Sequence, residues 1–270
     1  MPVLAILLLL TSYLSPLTAY LSPLTAQAIQ DNSFLLEEAY NQESGVVQHI
    51  STFVRSSNAD WDYAFTQEWP LGGIRHQLSY TVPIRHSGGN GTGVGDIALN
   101  YRYQLVGSPR ARTVAAPRVS LLLPTGSDEL GRGSGGLGLQ VNVPVTRVLS
   151  EALVTHWNAG VTATPSARNV IGQHATAADF NLGASLIWLV RPSLNLLLEA
   201  LWVSEASVVG NGRTVQEERG VVSPGIRVAF DLPGDLQIVP GLAYSFGLGP
   251  APNQDSVLLY LSFEHPFTRQ

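Results

Sequence analysis

The chain has no cysteine, no lysine and a single methionine. Without cysteine there is no disulfide framework, no thiol nucleophile and no cysteine-type zinc site. Charged residues are scarce at 13 %, all 15 basic residues are arginine, and the formal charge is only −5. No basic cluster tracks one face, which argues against a nucleic-acid partner. The six histidines are scattered, with no i, i+4 pair on a helix, so no metal site is indicated and no cofactor is expected. Long apolar runs are missing too. Residues 3–10 are almost wholly apolar but fall far short of the ~20 residues of a spanning helix. The leucine-rich window 182–203 carries Arg191-Pro192 at its middle, with Asn195 and Glu199 beyond. Proline removes a backbone donor and arginine is costly in lipid, so this window reads as two strands around a turn.

The N-terminus assigns a compartment. Ala26-Gln27-Ala28 has the small-x-small form that signal peptidase accepts, which places a signal peptide at 1–28. The usual basic n-region is missing, and 13–19 (YLSPLTA) is repeated directly as 20–26. Pro16 and Pro23 break a helix there, favouring cleavage over a retained anchor.

What is present is alternation. Ile74, His76, Leu78, Tyr80, Val82 and Ile84 fall on one face, with Arg75, Gln77, Ser79 and Thr81 on the other. Side chains alternate across a strand, so one face is oily and the other wet. The split recurs in Trp61, Tyr63 and Phe65 against Asp62, Thr66 and Glu68, and in Leu99, Tyr101 and Tyr103 against Asn100 and Arg102. It continues in Leu137 to Val145 around Gln140 and Asn142, and through the last run, Val257 to Phe263 around Ser256, Ser262 and Glu264. About 12 such segments of roughly 10 residues fit tilted membrane strands. Long polar connectors (124–134, 165–177, 205–219, 247–254) alternate with short ones (146–151, 191–193, 232–235), as in outer-membrane barrels. Trp61, Trp202, Tyr244 and Phe246 fall toward one rim and Trp69, Tyr101, Tyr103, Trp188 and Phe263 toward the other, the two girdles expected at the membrane boundaries; Trp157 fits less well. The expectation is all-β: an antiparallel transmembrane β-barrel over 46–270, with an even strand number and both termini periplasmic. A soluble sandwich or lipocalin-like barrel also alternates, but its outward polar face is more heavily charged.

Motifs with catalytic overtones find bland readings. Gly131-Arg132-Gly133-Ser134-Gly135-Gly136 satisfies G-x-G-x-x-G, but an alternating strand follows where a dinucleotide site needs a helix. His156 and Asn158 suit a lipid hydrolase only if they face lipid, and the alternation turns them inward. No catalytic residue is assigned.

The lumen is the candidate site, with solute-contacting positions Arg75, Gln77, Arg102, Arg118, Gln140, Asn142, His156, Asn158, Asn181, Glu199, Arg227 and Glu264. Gly138, Gly160, Gly183, Gly225 and Gly241 leave room along the wall. Residues 29–45 form a separate N-terminal segment, periplasmic or luminal. Within it Asp31, Phe34, Glu37, Glu38, Tyr40 and Glu43 do not alternate, and Asp31 or Asn32 would cap a short helix. Two readings stay open: a plug whose Glu37, Glu38 and Glu43 meet wall arginines, or a solvated leader.

Residues 31–47 (DNSFLLEEAYNQESGVV), 65–70 (FTQEWP), 76–80 (HQLSY), 93–103 (GVGDIALNYRY) and 155–160 (THWNAG) resemble a family of outer-membrane transporters labelled as associated with the MetA pathway of phenol degradation. The resemblance covers most of the mature chain and implies an outer-membrane barrel linked to aromatic-compound metabolism. Fold alone does not settle function. The expectation is a Gram-negative outer-membrane channel for small molecules, hydrophobic or aromatic ones included. Its partners are membrane lipid, an unidentified solute and the barrel-assembly machinery. The alternatives are a non-conducting structural or binding barrel and, more distantly, a lipid hydrolase.

Overall fold

The computed structural model describes residues 32–108, 111–249 and 255–267; the expected signal peptide and Asp31 lie outside them. No helix occurs among the described residues, which form β1 (Val46–Ser56), β2 (Trp61–Pro70), β3 (His76–Ser87), β4 (Gly91–Val94), β5 (Ile97–Tyr103), β6 (Thr113–Ala115), β7 (Arg118–Leu123), β8 (Gly138–Ser150), β9 (Leu153–Arg168), β10 (His174–Arg191), β11 (Leu194–Gly210), β12 (Arg213–Val228), β13 (Phe230–Leu232), β14 (Leu236–Leu248) and β15 (Ser256–Pro266). Sequence neighbours pair antiparallel, β1 pairs β15, and β12 pairs β14 to close the sheet. Three strands are broken in two. β4 runs into β5 with a register slip at Gly95-Asp96, β6 into β7 across Ala116-Pro117, and β12 into β13 past Ala229. At Pro117 the missing N–H interrupts the ladder. The fifteen segments therefore make a closed barrel of twelve strands.

The burial pattern is inside out. Leu99, Leu121, Leu139, Trp157, Leu182, Trp188, Leu198, Leu242 and Leu259 lie exposed on the outer wall, while Gln77, Asn100, Arg102, Asn142, Asn158, Glu199 and Arg227 are buried within. Since the side-chain period is two, each strand commits a whole set of residues to one side. Some strands also turn apolar residues inward, β1 among them. Its Ile50 faces inward, where it joins a cluster with Phe34, Ile187, Leu197, Leu258 and Tyr260. Its His49 stacks at 4.4 Å on Phe263.

Two of the expected long connectors are strands instead. β9 runs to Arg168 before β10 resumes at His174, and β11 and β12 stay paired out to Gly210 and Arg213. The turn between them is Asn211-Gly212, with Gly212 at φ 68°. Asn-Gly accepts the positive φ of a tight hairpin, and strand residues standing in water need no apolar alternation. The connector between β7 and β8 is a true loop, pinned by Asp96, whose carboxylate accepts from the Gly126 N–H at 3.0 Å and the Ser134 N–H at 2.7 Å. The glycine-rich stretch 131–136 belongs to this loop. One end of the barrel holds the start of β1 and the end of β15 and is called the entry end below; the other is the far end.

The barrel lumen as candidate functional site

Residues 32–42 lie inside the barrel near the entry end, tied to opposite walls by wall side chains. Ser33, Phe34, Leu36, Glu38, Ala39, Tyr40, Asn41 and Gln42 are all buried. The path is extended and bent rather than the short helix expected from Asp31 or Asn32. Asn32 Oδ1 still accepts a local bond, from the Glu38 N–H at 2.9 Å. The N–H groups of Phe34, Leu35, Glu37, Ala39 and Gln42 look outward to the wall, which removes the local pairing a helix requires.

Those bonds come from several strands. Both carboxylate oxygens of Glu199 on β11 accept backbone bonds, from Phe34 N–H at 3.1 Å and Leu35 N–H at 3.0 Å. Asn158 on β9 acts as a surrogate strand partner: its Oδ1 accepts from Glu37 N–H at 3.0 Å and its Nδ2 donates to the Glu37 carbonyl at 2.8 Å. Thr146 on β8 accepts from Ala39 N–H at 2.8 Å and bonds His156 Nδ1 at 2.8 Å. Gln77 accepts from Gln42 N–H at 2.8 Å, and Arg227 donates to the Asn32 carbonyl at 2.6 Å. Glu264 accepts from Gln42 Nε2 at 3.4 Å.

Charge organises the centre. Arg102 on β5 and Arg118 on β7 are direct cross-strand partners. Like charges so placed repel unless an anion stands between them. Glu37 does: its carboxylate is 2.6 Å from Arg118 and 3.9 Å from Arg102. Arg102 also lies 3.5 Å from Glu68 and donates to Asn41 Oδ1 and to the carbonyls of Glu38 and Tyr40. Asn142 Nδ2 donates to Glu37 at 3.1 Å, Gln140 accepts from Arg118 at 2.8 Å, and Asn181 reaches Asn142 at 3.5 Å.

Apolar groups seat the segment on the other side. A Cβ on Gly225 would come within 2.5 Å of the Phe34 ring, and one on Gly241 within 2.4 Å. On Gly183 it would stand 2.4 Å from Leu36. The glycines are thus notches already filled by this chain's own side chains.

Arg75 does not join the lumen; it is exposed in the turn ahead of β3. Glu43 is also exposed, just before β1, and meets no wall arginine among the described residues. Sequence reasoning left out Gln48, Glu68 and Thr146, which are buried members of the same network. Glu68 sat on the wet side of its strand and was readable. Thr146 was assigned to a connector.

Two spaces remain. Beside the segment lies a cavity of about 190 Å³ lined by Thr52, Thr66, Thr81, Asn100 and Arg118, among others. Toward the far end a larger one of about 400 Å³ has Leu201, Val203 and Val221 on one wall and Asp60, Asp62 and Ser56 on the opposite one. The inner surface carries its apolar side chains on one side only, and mixes them there with polar ones. Over β10 to β15 and β1 the apolar Ile187, Leu197, Leu201, Leu258 and Ile50 stand among the polar Gln48, Asn195, Glu199, Ser223, Arg227 and Ser262, whereas β2 to β9 are more uniformly polar.

A sequence search of curated proteins finds no match. Among solved structures, the COG4313 outer membrane channel from Pseudomonas putida F1 is similar at TM-score 0.59 and 13 % identity, over 85 % of this chain and 98 % of that one. The NanC porin is similar at TM-score 0.55 and 7 % identity, over 82 % of this chain and all of that one. At these identities the likeness shows the fold. A family model described as "Putative MetA-pathway of phenol degradation" matches residues 30–249. With most of its length matched by that model, the chain belongs to this family.

Proposed function

We propose that the chain is a channel of the Gram-negative outer membrane for small molecules with substantial apolar surface, aromatic ones included, gated by its N-terminal segment. The supporting observation is the set of apolar side chains on one side of the lumen, Ile50, Ile187, Leu197, Leu201 and Leu258. A space of about 400 Å³, with Leu201, Val203 and Val221 on one wall and Asp60, Asp62 and Arg219 also lining it, falls within the range of small-molecule sites. Nearer the entry end a space of about 190 Å³ lies beside residues 32–42, which fill part of the lumen there. Solute therefore passes when the segment moves, and the segment is held by side-chain bonds that can open one at a time. The far end is the extracellular mouth in this reading, the entry end is periplasmic, and barrel-assembly machinery inserts the chain. The structural neighbours bear out the fold class of channels and porins, and the family description supports the aromatic emphasis.

Liposome swelling with phenolics, sugars and organic acids tests the solute class. Phenolics are expected to enter faster than sugars of similar size, and equal rates would refute the apolar preference. Single-channel conductance tests the gate: deletion of residues 32–42 should raise it, and unchanged conductance would reject the plug. No conductance from either protein would favour a non-conducting structural barrel.

A further inference from the structure

The outer wall carries a depression that the channel reading does not use. Trp157, Ala184, Ala200 and Val222 are successive cross-strand partners on β9, β10, β11 and β12. Among the bulkier leucine, valine and aromatic side chains around them, the paired alanines leave a groove of about 650 Å³. Ala184 and Ala200 form its floor, with Trp157, Leu186, Leu198 and Val222 around them. At its β8 edge stands Arg147, exposed and paired in register with Thr155.

Arg147 lies three residues from the entry end of β8 at Ser150, about 10 Å along the strand. Among the described residues its guanidinium meets no carboxylate and donates no side-chain hydrogen bond. Arg85 and Arg219 in the same barrel are both paired with carboxylates. An arginine on a lipid-facing wall costs roughly 2–4 kcal/mol at the bilayer midplane, falling to about 0–1 near the boundary. An anionic headgroup beside it supplies the missing partner, and the guanidinium fork matches phosphate oxygens. Charge and shape thus point to one amphiphile, with an anionic head at Arg147 and an apolar tail along the alanines.

We propose that this groove binds one anionic phospholipid of the surrounding bilayer, its headgroup phosphate on Arg147 and one acyl chain over Ala184 and Ala200. The proposal rests on the barrel being embedded in a membrane, but not on its conducting.

Native mass spectrometry of the full mature protein in mild detergent, titrated with phosphatidylglycerol and phosphatidylcholine, tests it. Heat-modifiable migration on gels verifies that each variant keeps its barrel. The wild-type protein should retain one phosphatidylglycerol about fivefold more tightly than phosphatidylcholine, the effect of one arginine at a charged membrane surface. Arg147→Gln should erase that preference while leaving the phosphatidylcholine adduct. Ala200→Leu, which fills the groove, should weaken both adducts, and Ala184→Val provides a second filling should Ala200→Leu fail to form a barrel. A preference that survives Arg147→Gln, or adducts unchanged by filling, would overturn the assignment. So would naphthalene displacing the lipid from the groove, which would give it to a transported solute. Failure of the membrane reading looks different: a monomer that stays dissolved without detergent.

Discussion

Glu199→Gln probes how firmly the N-terminal segment is held. Each Glu199 oxygen accepts one backbone N–H, from Phe34 and from Leu35, and the residue is fully buried. Glutamine keeps the size but offers one acceptor, and its NH₂ group faces the other N–H donor. One charge-assisted bond is lost, at about 1.5–3 kcal/mol, and a buried N–H is left unpaired at about 1–3 kcal/mol. A combined loss of about 3–4 kcal/mol raises the released population on the order of 100- to 1,000-fold, at 1.4 kcal/mol per tenfold. Because the chain has no cysteine, Leu36→Cys creates a unique thiol at a site only 3 % exposed. Its labelling by a maleimide requires local opening, so the rate reports the open fraction. The rate should rise by that factor when Glu199→Gln is added. Equal rates in the two backgrounds would refute the claim that Glu199 holds the segment.

Gly241→Ala should likewise speed labelling of the Leu36→Cys thiol, since overpacking against Phe34 costs about 1–3 kcal/mol, and adding Phe34→Ala should reverse it. No reversal would mean that the strain lies elsewhere. A double-mutant cycle of Glu37→Gln and Arg118→Gln, read by the same labelling, should give a coupling of about 1–2 kcal/mol; additive effects would remove the ion pair from the account. Asp96→Asn should loosen the 124–137 loop, making limited proteolysis there about tenfold faster with the barrel intact on gels. An unchanged cleavage rate would show that the loop is held by other contacts.

Most of the barrel was legible because lipid and lumen impose opposite chemistry on alternating residues. Gln77, Arg102, Asn142, Asn158, Glu199 and Arg227 followed from parity alone. Arg75 shares their parity but precedes the first paired residue of β3, and parity has no meaning in a turn. The tall hairpins were misread as loops because strand outside the bilayer loses its oily face while keeping its ladder. The path of residues 32–42 was least legible. Several of its backbone partners are side chains more than 100 residues away, such as Glu199 and Asn158, and no local pattern encodes such bonds.

The unequal strands have a geometric outcome. β9 to β12 run 16 to 18 residues, whereas β1 to β3 on the other flank run 10 to 12. About six extra residues at ~3.3 Å each, on strands tilted by roughly 40°, raise one lip by roughly 15 Å over the other. The opening is cut on the bias, like a quill. Bulky neighbours that come from the high flank meet a palisade of hairpins, and incoming molecules have their unobstructed approach over the low lip.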